Sequence, residues 1–111
     1  MHDNHRLMPV RMGKSVRLIT SPQYRAAKEE AEYEIKRQWR IPALEGDVIL
    51  HAKAFFPNLR KRDVGNYRKL ICDAMTGICY ADDAQLSSET WERVGVSKDN
   101  PRIEITLESA A

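Results

Sequence analysis

Cysteine is scarce in this chain: there are two, Cys72 and Cys79, seven positions apart. That spacing fits no zinc or thiol redox motif, and no further cysteine exists to complete one. Both are expected to be buried or inert, as free cysteine usually is, and no disulfide is expected in a reducing compartment. No stretch approaches the roughly 18 apolar residues of a membrane-spanning helix. The opening residues, MHDNHRLMPVRMG, lack the apolar core of a secretory signal, so the cytoplasm is the expected compartment. Also missing are a Walker-type phosphate loop, a Ser-His-Asp set and a dinucleotide-binding fingerprint. Internal repeats and low-complexity tracts are absent as well. The three histidines, His2, His5 and His51, have no ligand-like spacing and are read as non-catalytic.

What remains is an ordinary globular composition, 42% hydrophobic and 31% charged over 111 residues, which fits a single domain spanning residues 1–111. A domain of this size is thinly supplied with core, which favours an oligomer. Net charge is only +2, yet the charges are segregated. Arg6, Arg11, Lys14, Arg17 and Arg25 crowd the first quarter, and Arg60, Lys61, Arg62, Arg68 and Lys69 form a second basic stretch. Acids gather at Glu29, Glu30, Glu32 and Glu34, and at Asp82 and Asp83. Two basic clusters on a near-neutral chain point to a local polyanion-binding face; scattered, solvated side chains would give the same composition.

Residues 1–20, broken by Pro9 and Gly13, read as a basic loop or mobile arm. Ser21-Pro22 marks a helix start, serine as N-cap and proline in the first turn. Tyr24, Ala27, Ala31, Ile35 and Trp39 then recur every three or four residues, an apolar stripe that ends near Arg40. Gly46-Asp47 is a turn, and Val48 to Phe55 alternates as a strand. A second helix is expected from about Val64 to Thr76, with Val64, Tyr67, Leu70, Ile71, Ala74 and Met75 on one face and Gly77 as its stop. Leu86–Val96 and Arg102–Leu107 read as strands around a Ser97–Pro101 turn. Helix, strand, helix, strand, strand implies a two-layer α+β domain with a small mixed sheet and two helices. Trp39 and Trp91 are expected in the core or at an interface.

The chemistry-bearing segment runs from Arg60 to Gln85. Asp63 stands at the mouth of the second helix among cations, and Asp82-Asp83 occupy a turn ahead of a strand. If that strand lies beside the one ending at Phe55, the two acidic points approach each other. Carboxylates so placed can hold Mg²⁺, which prefers oxygen ligands and keeps several waters. Lys69 could then neutralise a phosphate or protonate a leaving group. The residues alone equally allow Asp63 to be a helix cap and Asp82-Asp83 to be turn formers.

The pattern Arg62-Asp63-Val64-Gly65-Asn66, then Lys69, Asp73-Ala74 and Asp82-Asp83-Ala84-Gln85 resembles that of the RusA family of endodeoxyribonucleases, the Holliday-junction resolvases. Fainter similarity runs from Asn4-His5-Arg6 through Ser21 and Tyr24 to Ile103-Glu104-Ile105. The resemblance implies a homodimer that binds four-way DNA junctions in recombination and repair. It further implies paired symmetric nicks made with Mg²⁺, Mn²⁺ substituting. By the same resemblance Asp63 and Asp83 are metal ligands with Asp82 beside them, and Lys69 assists catalysis. Arg60, Lys61, Arg62, Arg68 and Lys69 hold phosphates. The family pattern has an aspartate where this chain has Gly65. Asp73, the nearest spare carboxylate on that helix, sits too close to the helix C-terminus to replace it. The alternative reading is therefore a junction-binding homologue whose cleavage is impaired or lost. Family members also carry an extra strand before the position matched by Asn4, so completion of the sheet by a dimer partner is a further expectation.

Overall fold

A computed structural model of the chain describes residues 6–11, 21–59 and 65–110. The elements are β1 (Arg6–Arg11), α1 (Ser21–Gln38), β2 (Val48–Phe56), α2 (Gly65–Met75), β3 (Leu86–Val96) and β4 (Arg102–Ser109), with a single 3₁₀ turn at Asp83–Gln85 before β3. The four strands form one mixed sheet in the order β1-β4-β2-β3. β2 runs antiparallel to β4 and parallel to β3, so α2 is the crossover between two parallel neighbours, as such a connection requires. The expected α+β class with two helices and a small mixed sheet is what the chain adopts.

The alternation in β2 explains the layering. Val48, Leu50, Ala52, Ala54 and Phe56 are buried, while His51 and Lys53 between them are exposed. Ile103, Ile105 and Leu107 of β4 continue the buried face. Against it lie Ala31, Ile35 and Trp39 from the α1 stripe and Leu70, Ile71, Ala74 and Met75 from α2, all in one core. Tyr24, Ala27 and Trp91 pack on its margin. Both helices thus share one face of the sheet; the other face carries Arg102, Glu104, His51 and Thr90 toward solvent.

Three local features fix the connections. Gly46 and Gly77 take positive φ, 72° and 89°, a conformation that costs glycine little and L side chains more. The first precedes β2 and the second stops α2. Phe56 and Tyr67 meet with ring centroids 5.7 Å apart, tying the end of β2 to the start of α2. Tyr80 is fully buried, and its hydroxyl donates to the Cys72 carbonyl at 3.2 Å, fastening the segment after α2 beneath the helix.

One expectation is corrected. Residues 6–11, read as part of a loop or arm, form β1, paired antiparallel with β4 from Arg6↔Leu107 to Arg11↔Arg102. Pro9 argued against a strand, but β1 is an edge, where a missing N–H need break no ladder bond. The Pro9 carbonyl accepts from Gln38 Nε2 at 2.9 Å, and Val10 is buried, so edge pairing and one buried side chain outweigh the local signal. The rest of the expected arm, residues 1–5 and 12–20, lies outside the described residues, as does Val64.

Leu50 and Ile105 are both fully buried and are neighbours across β2 and β4. Leu50→Ala is expected to lower unfolding free energy by about 3 kcal/mol, read from urea midpoints. His51→Ala, on the exposed face of the same strand, should change it by less than about 0.5 kcal/mol.

Candidate active site

The acidic turn is built by a small hydrogen-bond circuit. Asp82 is extended (φ −150°, ψ 138°) and caps the 3₁₀ turn, its side chain accepting from the Ala84 N–H at 2.9 Å. Gln85 answers, its Oε1 accepting from the N–H groups of Ala81 at 2.8 Å and Asp82 at 3.1 Å. This reciprocal pairing is a capping box. The other end of the Gln85 amide donates to the carbonyls of Leu44 at 3.0 Å and Gly46 at 2.8 Å. The turn is thereby latched to the loop that leads into β2.

The two neighbouring aspartates consequently differ. One oxygen of Asp82 is committed to the cap. Asp83 is exposed, and among the described residues its carboxylate has no hydrogen-bond or ion-pair partner. Ala84 and Gln85 serve the turn, and Asp83 is the group the turn presents.

Beside it stands the first half of α2. Arg68 forms a two-pronged bridge to Glu89 on β3, Nε at 2.6 Å and Nη2 at 2.7 Å. These bonds raise the Arg68 pKa further above its ordinary value, and Asp83 lies close enough to add to the same effect. Glu89 is held below the usual carboxylate range, chiefly by Arg68 and also by the indole N–H of Trp91, which donates at 2.9 Å. Lys69, next in sequence, points elsewhere. Its Nζ lies 3.0 Å from Asp73 Oδ2 and 3.4 Å from the Tyr24 hydroxyl, and the Lys69 pKa is raised by Asp73 first and Tyr24 second.

The strand carrying Asp83 does lie beside β2, as the sequence reading required, but the parallel register sets Val48 opposite Leu86 and Phe56 opposite Val96. Asp83 therefore sits at the end of the sheet where β2 begins. The end of β2 is eight residues farther, roughly 26 Å of extended chain. α2 runs back across that span, and Arg68 is the described residue that brings the helix to Asp83. Asp63, Arg60, Lys61 and Arg62 lie outside the described residues, and so does the side chain of Asn66. Gly65 opens α2 and is exposed. Asp73 is engaged with Lys69 and Tyr24, in keeping with the expectation that it does not stand in for the missing aspartate.

Sequence reasoning missed two participants. Glu89 carried no motif, and only the alternation of β3 could have aimed it at the helix layer. Tyr24 was read as core, although the i,i+4 spacing of Lys69 and Asp73 was a legible ion-pair signal.

The cysteines take no part. Both are free and buried, and burial pushes the Cys72 thiol up to about 11 and that of Cys79 up to about 12, so neither is a thiolate nucleophile at neutral pH. His51 sits on the helix-free face, its Nδ1 2.7 Å from Thr90 Oγ1. Among the described residues no three His, Cys, Asp or Glu side chains gather as a metal cage. The donor chemistry nonetheless suits a hard cation. Asp83 offers an unengaged carboxylate, and Mg²⁺ is commonly held by one or two carboxylates together with substrate phosphate and water. No helix among the described residues is long and apolar enough to cross a membrane.

A capped turn offering a carboxylate beside a helix bearing arginine and lysine is the equipment of a protein that handles phosphodiesters. Residues 3–108 match the family described as endodeoxyribonuclease RusA, and the chain belongs to that family. Membership implies nuclease activity of the Holliday-junction resolvase type. A comparison with curated proteins found no match.

The Arg68–Glu89 bridge gives a pH test. Because the Glu89 carboxylate is held below its unfolded value, its contribution is present above the ordinary glutamate pKa of about 4.3 and is lost as pH falls through the lower folded value. Arg68 is 43% exposed and Glu89 20%, so the bridge is discounted for solvent screening to about 1 kcal/mol. Glu89→Gln should lower the urea midpoint at pH 7 by that equivalent, and the gap from wild type should narrow at pH 3. Equal midpoints at pH 7 would contradict the assignment.

Proposed function

We propose that this protein is a divalent-metal-dependent endonuclease that acts as a homodimer and resolves four-way DNA junctions by paired symmetric nicks. The observation that carries the reading is the presentation of Asp83, unengaged among the described residues, by the Asp82–Gln85 turn in a chain whose family is one of DNA-cleaving enzymes. Asp83 and Asp63 are the residues assigned to hold Mg²⁺, or Mn²⁺ in its place. Asp82 flanks them chiefly as the cap that aims Asp83, with one oxygen left over. Bound there, the cation activates water and neutralises charge growing on the leaving oxygen.

The chain's own groups supply the rest. Lys69 keeps its proton, since both of its partners favour the charged form. This supports a fixed positive charge against a phosphate oxygen and argues against proton donation to the leaving group. Two of its N–H bonds face Asp73 and Tyr24, which leaves the third for substrate. Arg60, Lys61 and Arg62 are assigned to the phosphates flanking the cut. Arg68 contributes chiefly charge, because its Nε and Nη2 are already occupied by Glu89. Twofold symmetry suits a junction cut at two matched points, since each protomer then supplies one equivalent site. Backbone contacts of this kind make binding fall steeply with salt.

A second reading has an observation of its own. Gly65 supplies no carboxylate where the family pattern has aspartate, and no third acidic group joins Asp83 among the described residues. Binding through phosphates does not need the metal site, so a junction-binding homologue with impaired or lost cleavage is the alternative.

The test is nicking of an end-labelled four-way junction beside matched duplex, with and without Mg²⁺, the same samples being run on a native gel. Magnesium-dependent paired nicks are expected, reduced at least about 100-fold by Asp83→Asn with binding retained. Tight junction binding without nicks in Mg²⁺ or Mn²⁺ would establish the second reading. Equal affinity for junction and duplex would overturn both.

A further inference from the structure

Lys69 is a long, exposed side chain, 73% accessible, whose nearest anion is Asp73 one helical turn further along α2. A lone exposed ion pair at this spacing is weak, and lysine ahead of the acid is the less favourable order. Something else holds the arrangement. The Tyr24 hydroxyl, arriving from α1, donates to the same Asp73 oxygen, Oδ2, that accepts from Lys69. The Lys69 ammonium also lies 5.0 Å from the centroid of the Tyr24 ring, within range of a cation–π attraction. Tyr24 can serve as an anchor because its ring is packed against the core while its hydroxyl reaches the surface. The charge states agree with the geometry: Tyr24 foremost, and Lys69 as well, hold Asp73 below its ordinary value, and burial, then Asp73, raises Tyr24. Three side chains from two helices thus close a clamp on one ammonium group.

The geometry points to Tyr24 as a positioning residue, which together with Asp73 sets the Lys69 ammonium toward the scissile phosphate. It rests on the reading of Lys69 as the phosphate-facing cation given above. Tyr24 touches no reacting atom; it removes rotamer freedom from a side chain that otherwise has much to lose on engaging substrate.

The test is a double-mutant cycle on four-way junction nicking under saturating Mg²⁺ and single-turnover conditions. Tyr24→Phe is expected to slow nicking about tenfold with junction affinity changed less than about twofold. Asp73→Asn should do the same, a second variant that keeps the test alive if either one folds poorly. In a Lys69→Ala background, which is itself slower, neither substitution should slow nicking further. A purely structural role would add its effect in both backgrounds, and that result would overturn the proposal, as would wild-type nicking by Tyr24→Phe. If Lys69→Ala alone nicks at the wild-type rate, the assignment of Lys69 fails, and the clamp loses its catalytic meaning with it.

Discussion

The side chain of Gln85 makes four hydrogen bonds, two inward to the turn that it closes and two across to the loop before β2. Much of the molecule's functional geometry depends on this one amide. It fixes where β3 begins relative to β2, and hence the parallel register that sets Leu86 opposite Val48. It also completes the capping box that occupies Asp82. Because the neighbouring oxygens and N–H groups are consumed in the turn, Asp83 is left as its outward-facing anion. A carboxylate held by backbone geometry reorganises little when a cation arrives, which is the condition for effective electrostatic catalysis.

The charges around it are distributed by the same economy of partners. Arg68 is locked to Glu89, Lys69 is clamped by Tyr24 and Asp73, and each cation is thereby kept off the Asp83 carboxylate by an anion of its own. Without Glu89, a guanidinium this close would compete with a divalent ion for Asp83. Glu89 can therefore be understood as preserving the free carboxylate as well as bridging α2 to β3. The stability of the domain has a separate source, the apolar face shared by β2, β4 and the two helices. Residues such as Asp83 and Lys69 stand outside that core and can serve function.

Much of this was legible in the residues. The α1 stripe from Tyr24 to Trp39, the alternation of β2 and the Gly77 stop each follow from a local period or a backbone preference, and such signals do not depend on distant partners. The resemblance likewise pointed to Asp83, Lys69 and Gly65 before any geometry was known. β1 was lost because Pro9 and a basic composition speak for a loop, and only pairing with β4 overrides them. The separate duties of Asp82 and Asp83 were hidden for a similar reason: both are good turn residues, and the partner that separates them, Gln85, is reached through a capping box closed against a loop some forty residues earlier. Glu89 and the second role of Tyr24 depend on contacts between elements, which no single-element pattern encodes.

The central claim is that the Asp82–Gln85 turn presents Asp83 to a divalent cation, and the most direct measurement is Mn²⁺ binding followed by electron paramagnetic resonance in wild type and Gln85→Ala. With both proteins shown to be folded by circular dichroism, Gln85→Ala is expected to bind Mn²⁺ about tenfold more weakly, a difference of about 1.4 kcal/mol. Equal affinities in the two proteins would contradict the claim and leave the turn as a structural element alone.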